Sequence, residues 1–270
     1  DTIAKDNVTA VAMYCNSRAV GVIALESHQP VQPEYLNLVE SIATLFATSI
    51  TLQVEIDTTN KLIADEDSSV SDLQHERAEL TALIGDLCDY QQNFVEQLAN
   101  AVDTKGQYKV SHSQNTANLA RKICKALGLN EKTTDLIYYA GLLQNIGKIT
   151  LPEKIFATNG KLSPEDLKKI QNHSNIGVNL LMNINFLSEV VPYINYQKER
   201  VDGSGEPEGL KGQSIPLGSR IIAVADAFSA MTSDRPYRKA MQAEKAFSIL
   251  KEEAGKKWDK DVVEALGNCL

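Results

Sequence analysis

The chain has 270 residues, a length that predicts one or two domains, and 43% of them are hydrophobic, enough to bury real cores. Acidic residues outnumber basic ones by 35 to 27, and the net charge of −8 argues against general binding to nucleic acid or a membrane surface, leaving room for a local basic pocket. Cys15, Cys88, Cys124 and Cys269 fall at no paired spacing, which argues against a zinc ribbon or a disulfide framework and is expected of a reducing, cytoplasmic compartment.

No run approaches the roughly eighteen apolar residues of a membrane span and no basic-then-apolar leader opens the chain, so no span is expected in this segment. Asp1 as the first residue is expected of a processed or excised piece. Thr9–Cys15 and Ala19–Leu25 are short apolar runs separated by Asn16-Ser17-Arg18, which predicts a hairpin. After Pro30 and Pro33 the apolar residues Leu36, Val39, Ile42, Leu45 and Phe46 recur at three- and four-residue steps, the period of a helix. Strand, turn, strand and long helix over residues 1–57 resemble the C-terminal half of a GAF sensor domain. That resemblance implies a fragment too short to close a ligand pocket. The alternative is a packing or dimerisation module without a ligand.

Between Asp57 and Ser71 the composition turns acidic and small, with Asp65-Glu-Asp-Ser-Ser69, which predicts a linker or helix break. Ser71 with Gln74 forms a capping-box start. From there Leu73, Leu80, Ile84, Leu87, Phe94 and Leu98 follow heptad spacing, interrupted by Arg77 and Gln91. Residues 58–98 are therefore expected to be a connecting, coiled-coil-like helix through which the chain forms a homodimer. The alternative is one amphipathic helix packed on its own domain.

Residues 99–270 read as an all-helical domain. Gly106 to Ser111 form a break, and a helix carrying Ala117, Leu119, Ala120, Ile123, Cys124 and Leu127 stops at Gly128. From Leu136 to Leu143 only two tyrosines carry polar side-chain atoms, so the next helix belongs in the core, and it ends in two amides, Gln144 and Asn145. Buried polar groups are costly unless paired, so these amides point to a functional pocket or a satisfied network. A turn at Asn159-Gly160 precedes a helix capped by Ser163 with Pro164 at its first position, which carries His173. A further helix runs through Val178, Leu181, Met182 and Ile184. A loop rich in glycine and proline spans Asp202 to Pro216, and two helices around Asp226 and Phe247 close the domain.

Gly141-Leu-Leu-Gln-Asn-Ile-Gly-Lys148 is similar to the His-Asp doublet helix of HD-domain phosphohydrolases, with Gln144 where His is expected and Asn145 where Asp is. Asp202-Gly-Ser-Gly-Glu-Pro-Glu-Gly-Leu210, Arg220-Ile-Ile-Ala-Val-Ala-Asp226 and Arg235-Pro-Tyr-Arg238 resemble the HD-GYP subfamily. The resemblance runs from roughly Asn100 to the C-terminus. It implies a mainly α HD-domain bundle and metal-dependent hydrolysis of cyclic di-GMP by two Fe or Mn ions. In that comparison His112 matches the first His ligand, His173 the lone His and Asp226 the final Asp. Gln197-Lys198 stand where a His-His pair is expected, and Glu206 stands where the loop's tyrosine would be.

The substitutions remove the bridging carboxylate and three imidazoles, and Lys198 adds a group with three donors and no lone pair. Amides and an ammonium cannot hold two cations against their mutual repulsion. No metal ion and no catalytic residue is therefore expected at Gln144, Asn145, Gln197 and Lys198, with His112, His173 and Asp226 vestigial. His112 is alternatively an ordinary part-exposed histidine, and His173 a hydrogen-bonded pocket residue. Asp226, in an apolar run, is expected to have a cationic partner, Lys198 first. Lys148, Lys198, Arg235 and Arg238 are the expected ligand-binding residues, since ammonium and guanidinium groups suit phosphate oxygens. The alternative for the two arginines is a helix cap or pairing with Asp234 and Glu206.

The expected fold is mainly α: an HD-domain bundle preceded by a long helix and a small α+β GAF-like fragment. The expected function is a catalytically inactive signalling module acting by dimerisation, by binding a protein partner or by sensing cyclic di-GMP. The alternative is an active metal-dependent cyclic di-GMP phosphodiesterase with an atypical ligand set. A third reading is a structural dimer.

Overall fold

A computed structural model of the chain describes residues 2–5, 8–27, 31–64, 70–105, 112–152, 155, 163, 165, 176–234 and 239–270. The fold divides into two compact units, Asp1–Ala101 and Val102–Leu270. The predicted break at Gly106 to Ser111, the turn at Asn159-Gly160 and the helix carrying His173 lie outside the described residues.

In the first unit β1 (Thr2–Lys5), β2 (Val8–Cys15) and β3 (Arg18–Glu26) form an antiparallel sheet in chain order. Asn16 and Ser17 have φ of 47° and 64°. A two-residue turn with both central residues left-handed matches the twist of the strands it joins, and the predicted hairpin is present. β1 is an addition to the sequence reading. Val11, Met13 and Cys15 alternate onto one face of β2 and meet Ala43 and Ala47 of α1 (Pro33–Ala64) and Leu83 of α2 (Val70–Lys105).

The small alanines let α1 approach the sheet closely. α1 also carries seven serines and threonines whose hydroxyls donate to the carbonyl four residues back, from Ser41 through Thr59, so the polar side chains satisfy themselves within the helix. α1 itself runs on through Asp57–Ala64 and α2 begins at Val70, so of the linker or helix break predicted between Asp57 and Ser71 the part left, residues 65–69, lies outside the described residues. α1 also corrects the expectation of no membrane-length helix: Pro33–Ile63 is long and apolar enough by length and composition alone, a test that a core helix also passes. Asn93 donates to Ser41 (3.1 Å) and Thr59 to Glu76 (3.4 Å), so α1 and α2 lie antiparallel side by side. Of the predicted heptad residues Phe94 is buried, whereas Ile84 is 52% exposed and its neighbour Leu83 takes the core position.

The second unit is helical, as predicted. α3 (His112–Ala126) packs against α4 (Glu131–Leu143) and α6 (Leu217–Thr232); between the last two come α5 (Val191–Asn195) and 3-10 turns at Ile146–Thr150, Asn185–Val190 and Gly212–Ser214. α7 (Ala243–Glu252) and α8 (Lys260–Gly267) follow. α8 is missing from the sequence reading. It starts where Asp259 accepts the N–H groups of Asp261 and Val262 and ends at Gly267, eight residues in all. α3 stops at Gly128 (φ 70°), and Asn130 caps α4 by accepting the Thr133 N–H at 2.8 Å.

Gly141 is where α3 and α4 touch, since a Cβ there would lie 3.0 Å from the Ala117 Cα. Tyr138 enters the core because its hydroxyl meets the Gln114 amide at 2.6 Å and the Arg121 guanidinium covers its ring at 3.6 Å. The buried carboxylate of Asp103 is satisfied by the N–H and hydroxyl of Ser113 at 2.9 and 2.7 Å.

Cys124, fully buried in α3, has its thiol pushed up to about 12 by desolvation. The unfolded thiol ionises near about 8.5. A raised folded value contributes stability that is present below the unfolded value and lost as pH rises towards the folded one. Between these limits the unfolding free energy should fall by about 1.4 kcal/mol per pH unit from this group. Urea titrations across pH 8 to 11 should show that slope, and Cys124→Ala should flatten it; an unchanged slope in the variant would assign the loss elsewhere.

Candidate functional site

α4 delivers Gln144 in the turn that ends it, 4% exposed. Its amide Nε2 donates to Asp226 Oδ1 at 3.0 Å, and Asp226 projects from the middle of α6. His112, the first residue of α3, places Nε2 3.1 Å from the same oxygen. Gln197 Nε2 donates to the Gln144 carbonyl at 3.2 Å, satisfying one of the orphan acceptors of the helix end. Four residues singled out by sequence, 114 positions apart at the extremes, thus meet in one network.

Asp226 keeps 42% of its side chain accessible, against 10% for His112. Desolvation pushes the Asp226 carboxyl up, but the hydrogen bond and charge of His112, the Gln144 amide and the charge of Lys148 outweigh it, and the net position is below the usual carboxylate range. The expectation that Lys198 is its direct partner is corrected: the hydrogen bonds come from His112 and Gln144, because the glutamine amide reaches across from the end of α4. Lys198 acts through charge. Its ammonium is lowered by desolvation and by Lys148, against the opposing pull of Glu206 and Asp226. Lys148 is half-buried in the 3-10 turn after Asn145, which is itself half-buried. His173, Arg235 and Arg238 lie outside the described residues.

The two-ion centre implied by the resemblance does not fit the described donors. Asp226 Oδ1 already accepts two hydrogen bonds, and Gln144 and Gln197 present N–H groups where lone pairs would be needed. Among the described residues, the acids whose ligand atoms lie within 4.8 Å of one another are Glu55, Glu76 and Glu79, in the other unit.

One further group was missed by sequence reasoning. Glu199 is 3% exposed and its carboxylate accepts three backbone N–H groups, from Glu208 (2.7 Å), Gly209 (3.0 Å) and Leu210 (3.0 Å). It pins the glycine-rich loop against the segment that carries Gln197 and Lys198. Asp202 starts the loop by accepting the Ser204 N–H at 2.9 Å. A Cβ at Gly205 would fall 2.3 Å from both Arg200 N and Glu199 Cα, so the loop backbone lies directly on that segment. Arg200 stacks 4.5 Å from the Trp258 ring, and Arg220 pairs with Asp259 at the cap of α8. The available sequence signal was an acid next to Gln197-Lys198, just ahead of a loop with many unpaired N–H groups.

Residues 96–262 match the family model described as HD domain. The chain is 41% identical over 156 residues to the 3′3′-cGAMP-specific phosphodiesterase 1 of Vibrio cholerae, covering 58% of this chain and 36% of that protein. It is 36% identical over 156 residues to a cyclic di-GMP phosphodiesterase of Thermotoga maritima, covering 57% and 42%. With the cyclic di-GMP phosphodiesterase response regulator RpfG of Xanthomonas campestris it shares 32% identity over 189 residues, covering 69% and 50%. The chain therefore spans between about a third and a half of the length of these relatives. A crystal structure of a cyclic GMP-AMP-specific phosphodiesterase of V. cholerae has the same fold over 64% of this chain and 47% of that one, with a TM-score of 0.51 at 21% identity.

These relatives overturn the expectation of a catalytically inactive module acting by dimerisation, partner binding or sensing. They are named as phosphodiesterases, and they favour the alternative, an active enzyme with an atypical ligand set. The sequence reading equated the loss of particular ligand types with loss of chemistry. The structure instead retains a His112–Asp226 contact with two lysines bearing on it.

Proposed function

Because the chain belongs to the HD-domain family, we propose that its Val102–Leu270 unit is a phosphodiesterase of the HD-GYP type. Its substrate is a 3′3′-linked cyclic dinucleotide and its ligand set is atypical. The observation that carries this reading is the 41% identity to a 3′3′-cGAMP-specific phosphodiesterase over 156 residues. The site chemistry supports it: each phosphodiester carries one negative charge, and Lys148 and Lys198 supply positive charge beside Asp226. Hydrolysis joins a water oxygen to phosphorus and breaks the P–O3′ bond, with the proton passing to the departing 3′ oxygen. In this reading His112 is the proton-handling group and Asp226 holds its ring.

The three-stranded sheet and most of α1, residues 1–57, are read as a partial GAF-like region, residues 58–98, which hold the end of α1 and most of α2, as a connecting segment that dimerises, and 99–270 as the phosphodiesterase domain. Sedimentation of the full chain as a monomer at micromolar concentration would remove the dimer from this proposal.

Cyclic di-GMP and 3′3′-cGAMP are incubated separately with the purified full chain, with and without added Mn2+, and the products are resolved by chromatography. A linear dinucleotide or mononucleotide is expected from at least one of them, and the faster arm names the substrate. Intact substrate in every arm, from protein with a normal unfolding transition, would reject the reading.

A further inference from the structure

We propose that Trp258 is a positioning residue: by stacking on Arg200 it holds the frame of the glycine-rich loop from Asp202 to Pro216 and so fixes the segment from Gln197 to Arg200 against the His112–Asp226 pair. This rests on the cyclic-dinucleotide reading above. The Arg200 guanidinium lies 4.5 Å from the centre of the Trp258 ring, and its Nη1 donates to the Glu199 carbonyl at 3.0 Å. Burial pushes that guanidinium below its ordinary value, against the pull of Asp226, Asp202 and Glu199. A cation short of water gains more from an aromatic face than an exposed one does. Glu199 carries the hold onward, because its carboxylate accepts the N–H groups of Glu208, Gly209 and Leu210.

Three further contacts converge on the same few residues. The N–H groups of Val201 and Asp202 donate to the carbonyls of Lys257 and Lys256 at 3.4 and 2.8 Å, which fastens the loop where it starts. Arg220 fastens it where it ends, since its Nε donates to the Ile215 carbonyl at 3.0 Å while its guanidinium pairs with Asp259. Lys256 to Asp259 thus hold both ends of the loop, and Glu199 holds its middle. The turn that presents them is itself closed: the Glu253 carbonyl accepts the N–H groups of Lys256 and Lys257 at 3.1 and 3.0 Å, and Gly255, at φ 80°, donates to the Trp258 carbonyl at 2.8 Å. On its other side the segment reaches the site through Gln197, which donates to the Gln144 carbonyl, and Gln144 donates to Asp226. Loss of the ring is therefore felt at the site as displacement. Trp258 makes and breaks no bond in this role.

The test uses the full chain with cyclic di-GMP and 3′3′-cGAMP as probes, each with and without added Mn2+. Trp258→Leu removes the ring face, Trp258→Phe keeps one, and Arg200→Met removes the charge that rests on it. Trp258→Leu is expected to lower kcat about tenfold or more, the effect of a displaced group, with KM changing less than about threefold. Trp258→Phe should retain most of the wild-type kcat. The amides of Glu208, Gly209 and Leu210 should exchange hydrogen about tenfold faster in Trp258→Leu, while those in the middle of α3 keep their rates. Trp258 is the chain's one tryptophan, so its emission is unambiguous. In the wild-type chain that emission should shift on nucleotide binding and saturate at the calorimetric Kd, and Arg200→Met should lose the shift. A ring serving only the core would give no such response.

Trp258→Leu with wild-type kcat and wild-type loop protection, or Trp258→Phe losing as much kcat as Trp258→Leu, would overturn the proposal and leave the phosphodiesterase reading in place. So would a Trp258 emission that ignores bound nucleotide, which decides the matter if Trp258→Leu fails to fold. Absent turnover rejects the phosphodiesterase reading alone when the emission shift and the faster loop exchange are both found. A wild-type protein that binds neither nucleotide overturns both.

Discussion

Truncating Leu142 to alanine is expected to lower the unfolding free energy of the Val102–Leu270 unit by about 3 to 4 kcal/mol. Leu142 is 1% exposed on the core face of α4, two residues before Gln144, and its neighbours Ile137, Ala140 and Leu143 are buried as deeply. Removing three buried carbon atoms costs their transfer free energy and adds a cavity wherever the surroundings cannot collapse. Collapse is limited here because Gly141 already brings α4 against Ala117 of α3, with 3.0 Å left for a Cβ. The chain contains one tryptophan, Trp258, and it lies in this unit, so its fluorescence during urea unfolding reports on the unit alone. A loss below about 1 kcal/mol would mean that the helices close the gap. Gln144 should also lose its fixed position, so the contact to Asp226 weakens along with stability.

Glu199→Ala should cost about 2 to 3 kcal/mol and should act more locally. Three backbone N–H groups lose a charged acceptor at once, but the loop that bears them is part-exposed and water recovers some of the loss. The diagnostic readout is hydrogen exchange. The amides of Glu208, Gly209 and Leu210 should exchange at least tenfold faster in the variant, while the buried amides of α3 and α6 keep their rates. Glu199→Gln, which keeps one acceptor oxygen, should fall between. Unchanged protection at these amides would show that the loop holds itself by other means.

Much of this architecture is written in local chemistry. The hairpin is visible because Asn16 and Ser17 tolerate left-handed backbone between two apolar runs. The core helix is visible because polar atoms vanish from Leu136 to Leu143 apart from two tyrosines. What stayed hidden depends on distance or on self-satisfaction. The point where α1 stops was hidden, because the small, acidic composition that begins at Asp57 starts inside the helix, where Thr58 and Thr59 bond back to their own turn. α8 is too short to show a period, and β1 has only four residues.

The site was legible as positions and not as bonds. His112, Gln144, Gln197 and Asp226 were all singled out, yet the role of Gln144 as a donor to Asp226 required the fold. The inference of inactivity failed because it equated the joint loss of a bridging acid and three imidazoles with the loss of chemistry, whereas the relatives the chain matches are named phosphodiesterases. Glu199 was not recognised because its three partners are nine to eleven residues away on a loop without regular structure.

The backbone contact at Gly205 limits how this rim could be redesigned. With 2.3 Å between a hypothetical Cβ and the chain at Arg200 and Glu199, position 205 is closed to every side chain. Variation in this part of the loop is therefore left to the exposed Ser204 and Glu206 on either side, and a saturation library at those two positions would sample it.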